Sequence, residues 1–222
     1  MVEGPLFEFE FKQLSEEFSK HLKEKLLEIR QIEWVSYDAA NRRLCVKSSI
    51  PIHELHTLLI QLSKSQVVIV GMGEKYDAAI VQLFDYQKEY IEPKGVIRIV
   101  QLDESNCLVD GVVSGLEKDD HEMVLFENGD LSDKLNNLGN KCSLLPTKND
   151  ILKISVDANN RSEFSFAINS LKIENLFGRS IFICKNNEKI CGGIVARSSK
   201  VFDNFKKICL CSGSNIWSEK QA

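Results

Sequence analysis

A chain of 222 residues is about one and a half times the ~150 residues that one domain typically uses, which favours two compact units over one. Apolar residues are 43% and charged residues 27%, a globular balance that excludes a collagen, a low-complexity chain and a wholly disordered one. The formal net charge is −4 with no Lys/Arg stripe to offset it, so a phosphate backbone is repelled and no nucleic-acid partner is expected. The longest apolar run, around Val67–Val70, is far short of the ~20 residues that cross a bilayer as a helix, so no membrane span is expected. The N-terminal stretch Met1 to Phe11 carries acids where a secretory signal would carry bases, and the reading is a soluble cytoplasmic protein. Seven cysteines are scattered without the spacing of a secreted disulfide framework, and the last two, Cys209 and Cys211, form a C-x-C.

Along the chain, Phe7, Phe9 and Phe11 alternate with Glu8, Glu10 and Lys12, the period-2 pattern of a half-buried strand. Ser15 is a good N-cap, and Phe18, Leu22, Leu26 and Ile29 then mark an amphipathic helix to about Arg30. Trp34–Asp38 and Arg43–Lys47 read as a hairpin, and Pro51 opens a second helix carrying Leu55, Leu58, Leu59 and Leu62. Val67–Val70 closes the series as a strand ending in Gly71-Met72-Gly73. The order βαββαβ predicts a ferredoxin-like domain over residues 1–75.

From about Ala78 the helical period disappears. Eight short β-rich runs follow, at 79–84, 95–101, 107–114, 122–126, 151–156, 163–168, 178–184 and 192–196, separated by turn residues. That spacing predicts a β-sandwich or barrel over residues 76–200 rather than alternating βα units. Residues 201–222 are a polar tail holding Cys209-Leu210-Cys211. The fold class is therefore α+β. Gly71-Met72-Gly73 lacks the following helix and Lys-Ser/Thr of a phosphate loop, and no Ser/His/Asp set or carboxylate pair falls in one place, so no catalytic residue is assigned.

This order of parts resembles that of the copper chaperones for superoxide dismutase. The residues that carry the resemblance are Gly95-Val-Ile-Arg98, Val109-Asp-Gly-Val-Val-Ser-Gly-Leu116, Glu127 with Gly129-Asp130, Gly178-Arg179-Ser180, Gly192-Gly-Ile-Val-Ala-Arg-Ser198, and above all Asn204–Trp217 around the C-x-C. The resemblance implies that the β domain is a Greek-key unit like a Cu/Zn superoxide dismutase subunit. It also implies that Gly129, Asp130, Leu131, Phe177, Gly178, Ile194 and Arg197 lie along the strip that binds the dismutase in a heterodimer, a homodimer staying open.

Departures from the family are as informative. Where its first domain carries a Cys-x-x-Cys copper motif this chain has Ser15 and Phe18, and where a dismutase places copper-binding histidines it has Val124, Phe126 and Cys184. Lys141 stands at a zinc-site histidine, and the subunit disulfide would fall on Leu138 and Gly192, with a shifted Cys142–Cys191 bridge left open. In an extended segment residues i and i+2 project to one side, so Cys209 and Cys211 can hold one soft Cu(I) ion and leave it open to an incoming ligand. Upstream, Lys206 and Lys207 favour the thiolate form. His21, His53 and His56 are read as surface residues and His121 as a remnant, while Cys45, Cys107 and Cys184 are read as small buried hydrophobes. The expected function is delivery of Cu(I) to a Cu/Zn superoxide dismutase through Cys209 and Cys211, with help in forming the target's disulfide. The alternatives are a scaffold or thiol-redox module that carries no copper, and a dismutase in its own right.

Overall fold

A computed structural model describes residues 4–86, 92–143 and 152–203. Backbone proximity divides the chain into two units: one comprises residues up to Ile50, Leu55–Met72 and Ser199 onward, the other Pro51–Glu54 and Gly73–Ser198.

In the first unit β1 (Leu6–Phe11), α1 (Glu16–Leu27), β2 (Ile32–Asp38), β3 (Arg43–Ser48), α2 (Ile52–Ser63) and β4 (Val67–Met72) follow in order. Their strands form an antiparallel sheet in the order β2-β3-β1-β4. Ser15 starts α1 from an extended backbone, its hydroxyl accepting the Phe18 N–H at 3.2 Å and so satisfying one of the helix's orphan donors. Leu22 and Leu26 of α1, Leu55 and Leu59 of α2, and Phe7, Phe9 and Phe11 of β1 are all buried, and each such side chain contributes roughly 1.5–3 kcal/mol. The alternation in β1 predicts one wet face, yet Glu8 and Glu10 are only 2% and 6% exposed. The cause is that β1 is an inner strand: Arg43, directly opposite Glu10 on β3, reaches Glu8 at 3.1 Å and Glu10 at 3.6 Å, and this pairing offsets the desolvation of both carboxylates.

The second unit is mostly β, with two short 3₁₀ turns at Asp133–Leu138 and Ile173–Asn175. Its strands are β5 (Ala78–Asp85), β6 (Glu92–Gln101), β7 (Asn106–Ser114), β8 (His121–Phe126), β9 (Lys141–Cys142), β10 (Leu152–Ile154), β11 (Arg161–Asn169), β12 (Ser180–Lys185), β13 (Glu188–Ile194) and β14 (Ala196–Ser198). They join one curled antiparallel sheet in the order β10-β8-β12-β13-β5-β6-β7-β11, with β14 on β5 and β9 on β8. Inside it Val81, Leu83, Ile97, Ile99, Ile181 and Ile183 are wholly buried. Each of the eight β-rich runs overlaps a strand, the last, 192–196, covering only the end of β13 and the first residue of β14. The two strands the sequence does not announce, β9 and β14, are two and three residues long, too short for alternation to register.

Candidate functional site

Cys209 and Cys211 lie outside the described residues. The other five cysteines are all free thiols, which removes the shifted Cys142–Cys191 bridge. Cys45, Cys107 and Cys184 are buried, as their place in β-rich runs predicts, and so is Cys191. Burial pushes the Cys45, Cys107 and Cys191 thiols up to about 12 and the Cys184 thiol up to about 11, so each keeps its proton at neutral pH. Cys142 is half-buried, with the Arg179 guanidinium donating to its sulfur at 3.2 Å. Among the described residues no group of three or more His, Cys, Asp or Glu side chains is arranged to hold a metal ion.

At Val124, Phe126 and Cys184, where the resemblance would put copper histidines, the second unit has an apolar cluster. Val124 and Phe126 from β8, Phe182 and Cys184 from β12, and Leu135 and Leu138 from the 3₁₀ turn pack together. The Phe126 and Phe182 rings meet edge to face at 5.8 Å, a favoured aromatic geometry, and Tyr86 leans on Phe182 at 6.2 Å. The Lys189 ammonium sits 5.6 Å from the Phe126 ring centre, within reach of its π face. This donor set does not suit a copper or zinc centre. The same ring explains Gly192: a Cβ there would fall 2.3 Å from Phe182 carbons, so a side chain opposite Phe182 would force that ring to move. Sequence reasoning missed Phe182, although its place two residues before Cys184 on the same strand puts both on one face.

Ser15 and Phe18, where the resemblance would put a first copper motif, are a helix cap and its hydrogen-bond donor. Of the histidines expected at the surface, His21 is exposed. His53 is not, being 8% exposed, and the His56 ring bonds the Val67 carbonyl oxygen at 2.7 Å while stacking on Phe9. The His121 ring is buried against the Asp119 carbonyl at 2.9 Å.

The expected docking strip is largely one surface. Gly129 backs onto the Gly178 carbonyl oxygen, where a Cβ would come within 2.4 Å, and onto Ile194, which is 42% exposed. Gly178 and Arg179 are stitched to Val195 by backbone bonds of 3.1 and 2.8 Å. The Arg197 guanidinium stacks over the Phe177 ring at 4.4 Å and bonds the Asp77 carboxylate at 3.3 Å. Asp130 is exposed, but its carboxylate accepts from the Ser132 N–H and hydroxyl, which holds its pKa below the usual range. Leu131 turns instead to the Val124–Phe126–Phe182 cluster.

No family model matches the chain. It is 26% identical over 232 residues to the copper chaperone for superoxide dismutase of Homo sapiens, across 90% of this chain and 83% of that protein. It is 27% identical over 219 residues to the superoxide dismutase 1 copper chaperone of Saccharomyces cerevisiae, across 90% of this chain and 88% of that one. The chloroplastic copper chaperone for superoxide dismutase of Oryza sativa subsp. japonica is 26% identical over 206 residues, 88% of this chain and 65% of that protein. Over most of its length, then, the chain is similar to copper chaperones for superoxide dismutase.

Proposed function

We propose that the chain is a copper chaperone that carries Cu(I) on Cys209 and Cys211 and hands it to a Cu/Zn superoxide dismutase in the cytoplasm. The observation that carries this reading is the apolar cluster of Val124, Phe126, Phe182 and Cys184 at the dismutase copper position. That cluster itself offers no imidazole for redox chemistry, which argues against an enzyme and for a role as a look-alike partner. The strand order β2-β3-β1-β4 over a βαββαβ chain supports a ferredoxin-like first domain, and the curled antiparallel sheet supports a Greek-key domain of the dismutase-subunit kind. Docking falls to Gly129, Asp130, Phe177, Gly178, Ile194 and Arg197, where an exposed Ile lies among exposed Asp130, Gly178 and Arg197, with Leu131 packed on the neighbouring cluster. With four other thiols buried and protonated, Cys209 and Cys211 are the pair best suited to release an ion by ligand exchange: two adjacent thiolates satisfy Cu(I) and leave it open to the target's ligands.

The test is activation of metal-free dismutase by the Cu(I)-loaded chain. Cys209→Ser and Cys211→Ser should each lower activation at least tenfold, because a lone thiolate must compete with the cell's free thiols. Arg197→Glu should weaken co-purification with the dismutase, since a like charge at an interface costs several kcal/mol. Full activation by either serine variant would place the cargo elsewhere. Wild-type activation without bound copper would move the assignment to a scaffold or thiol-redox module.

A further inference from the structure

The first unit carries Ser15 and Phe18 where the resemblance puts a copper motif, and the described end of the chain lies on this unit. Ser199 to Asp203 cross the sheet face that carries Glu8, Arg43 and Cys45, and four independent contacts hold them there. The Met72 N–H donates to the Ser199 carbonyl at 3.1 Å, extending the hydrogen bonding of edge strand β4. Val201 is 4% exposed, in a small cluster with Leu6 and Cys45. The Phe202 N–H donates to the Glu8 carboxylate at 2.9 Å, on the oxygen that Arg43 leaves free. At Gly71 a Cβ would fall 2.7 Å from the Lys200 carbonyl oxygen and 2.9 Å from the Val201 Cα, so only glycine lets the segment lie this close to β4. Phe202 itself stands at a φ of 68°, a conformation a bulky residue adopts only when its surroundings enforce it. A cavity of about 140 Å³ remains beside the segment, lined by Glu8, Ser36, Asp38, Asn41, Arg43, Cys45 and Phe202.

We propose that residues 199–203 are a strap fastening the root of the C-x-C segment to the first unit, with Glu8 as the positioning residue that receives it. The inference rests on the chaperone reading only for its purpose, not for its geometry. Asp203 and Cys209 are six residues apart, so the thiolates stay within at most about 22 Å of the strap whatever path the chain takes. A chain end fixed at its root searches a far smaller volume than one hanging from the last strand, which raises the effective concentration of the thiolate pair near any docked target. The first unit would thus serve transfer by holding the carrier in place of binding the ion. Glu8 is suited to this because its charge is already balanced by Arg43, and a charge-assisted bond to a backbone N–H is stronger than a neutral one.

Peptide-resolved hydrogen exchange on the full chain, combined with dismutase activation, tests the strap. In the wild type the Phe202 and Met72 amides should exchange at least tenfold more slowly than an open chain. Phe202→Pro removes the donor and forbids the positive φ while leaving the sheet untouched; Gly71→Val forces the segment off β4. Both variants should bring residues 199–203 to open-chain exchange and slow dismutase activation several-fold, with Cu(I) stoichiometry and overall unfolding unchanged. Glu8→Gln, which keeps an acceptor, should fall between wild type and Phe202→Pro. Open-chain exchange of residues 199–203 in the wild type overturns the strap and leaves the chaperone reading standing. Protected exchange with wild-type activation by both variants overturns the positioning role. Protected exchange in a wild type that activates no dismutase supports the strap and removes the chaperone reading.

Discussion

Ser15 and Phe18 at the start of α1, and Val124, Phe126 and Cys184 between β8 and β12, stand where the resemblance to copper chaperones and dismutases would put metal ligands. The two places are filled by opposite chemistry. At the helix start one hydroxyl takes over, accepting a backbone N–H at 3.2 Å, and the surroundings stay wet. Between the strands, an aromatic pair at 5.8 Å with Leu135 and Leu138 fills the volume to the point where a side chain at Gly192 would force the Phe182 ring to move. The difference follows from burial. An exposed site that loses its ligands is solvated at once, whereas a buried one leaves a cavity costing about 24 cal/mol per Å³ unless apolar side chains close it. Ligands should therefore be readily installed at the helix start and resisted by the core between the strands.

The largest effect that would test this contrast is expected from putting imidazoles back in the second unit. Val124→His with Phe126→His places two polar rings in the cluster and removes the Phe126–Phe182 pair. Unfolding stability should fall by about 3–5 kcal/mol, seen as a lower urea midpoint, with no superoxide consumption gained. Next, Gly192→Cys alone should cost about 1–3 kcal/mol because Phe182 must move, and Phe182→Ala added to it should recover part of that loss; additive losses would break the steric account. In the first unit, Ser15→Cys with Phe18→Cys on a Cys209→Ser, Cys211→Ser background should cost only about 1 kcal/mol of capping yet confer Cu(I) retention against a competing chelator. A loss as large as that in the second unit would erase the distinction. The smallest effect concerns Glu127, whose exposed carboxylate accepts from the Asn140 backbone N–H and then from its side-chain amide, holding the pKa below the ordinary value of 4.5. A carboxyl with a depressed folded pKa stabilises the loop above its unfolded pKa and ceases to as pH falls through the folded one. Amide exchange at Asn140 should therefore quicken below about pH 4.5, relative to the intrinsic rate, and Glu127→Gln should flatten that dependence.

Most of the element order was legible in the sequence. Ser15 with Leu22 and Leu26 marks α1, Leu55 and Leu59 mark α2, and eight β-rich runs each overlap a strand, because period and caps are local signals. The burial of Glu8 and Glu10 was not legible, since alternation with Phe7, Phe9 and Phe11 describes a strand with one wet face. The missing information was non-local: β1 lies between β3 and β4, Arg43 sits across from it, and residues 199–203 cover Glu8. Val201 was read as the first residue of a polar tail for the same reason, as only the tertiary fold brings Leu6 and Cys45 beneath it. The expected docking strip rests on the resemblance alone, because glycines and a lone exposed Ile194 give no periodic signal. Phe182 could have been found: it stands two residues before Cys184 on one strand and so shares its face.

The bond between Glu8 and Phe202 joins groups 194 residues apart, and that separation has a consequence during synthesis. At ribosomal rates of ~5–20 residues per second, roughly 10–40 s pass between the emergence of the two partners. Through that interval the nascent sheet can pair β1 with β3 and β4, but the carboxylate of Glu8 has only Arg43 and water, and the flank of Leu6 and Cys45 lies bare. The first unit is thus begun earliest and sealed last. A message truncated just before codon 199 would yield every strand of both sheets with that flank permanently open, a product holdase chaperones should retain longer than the full chain.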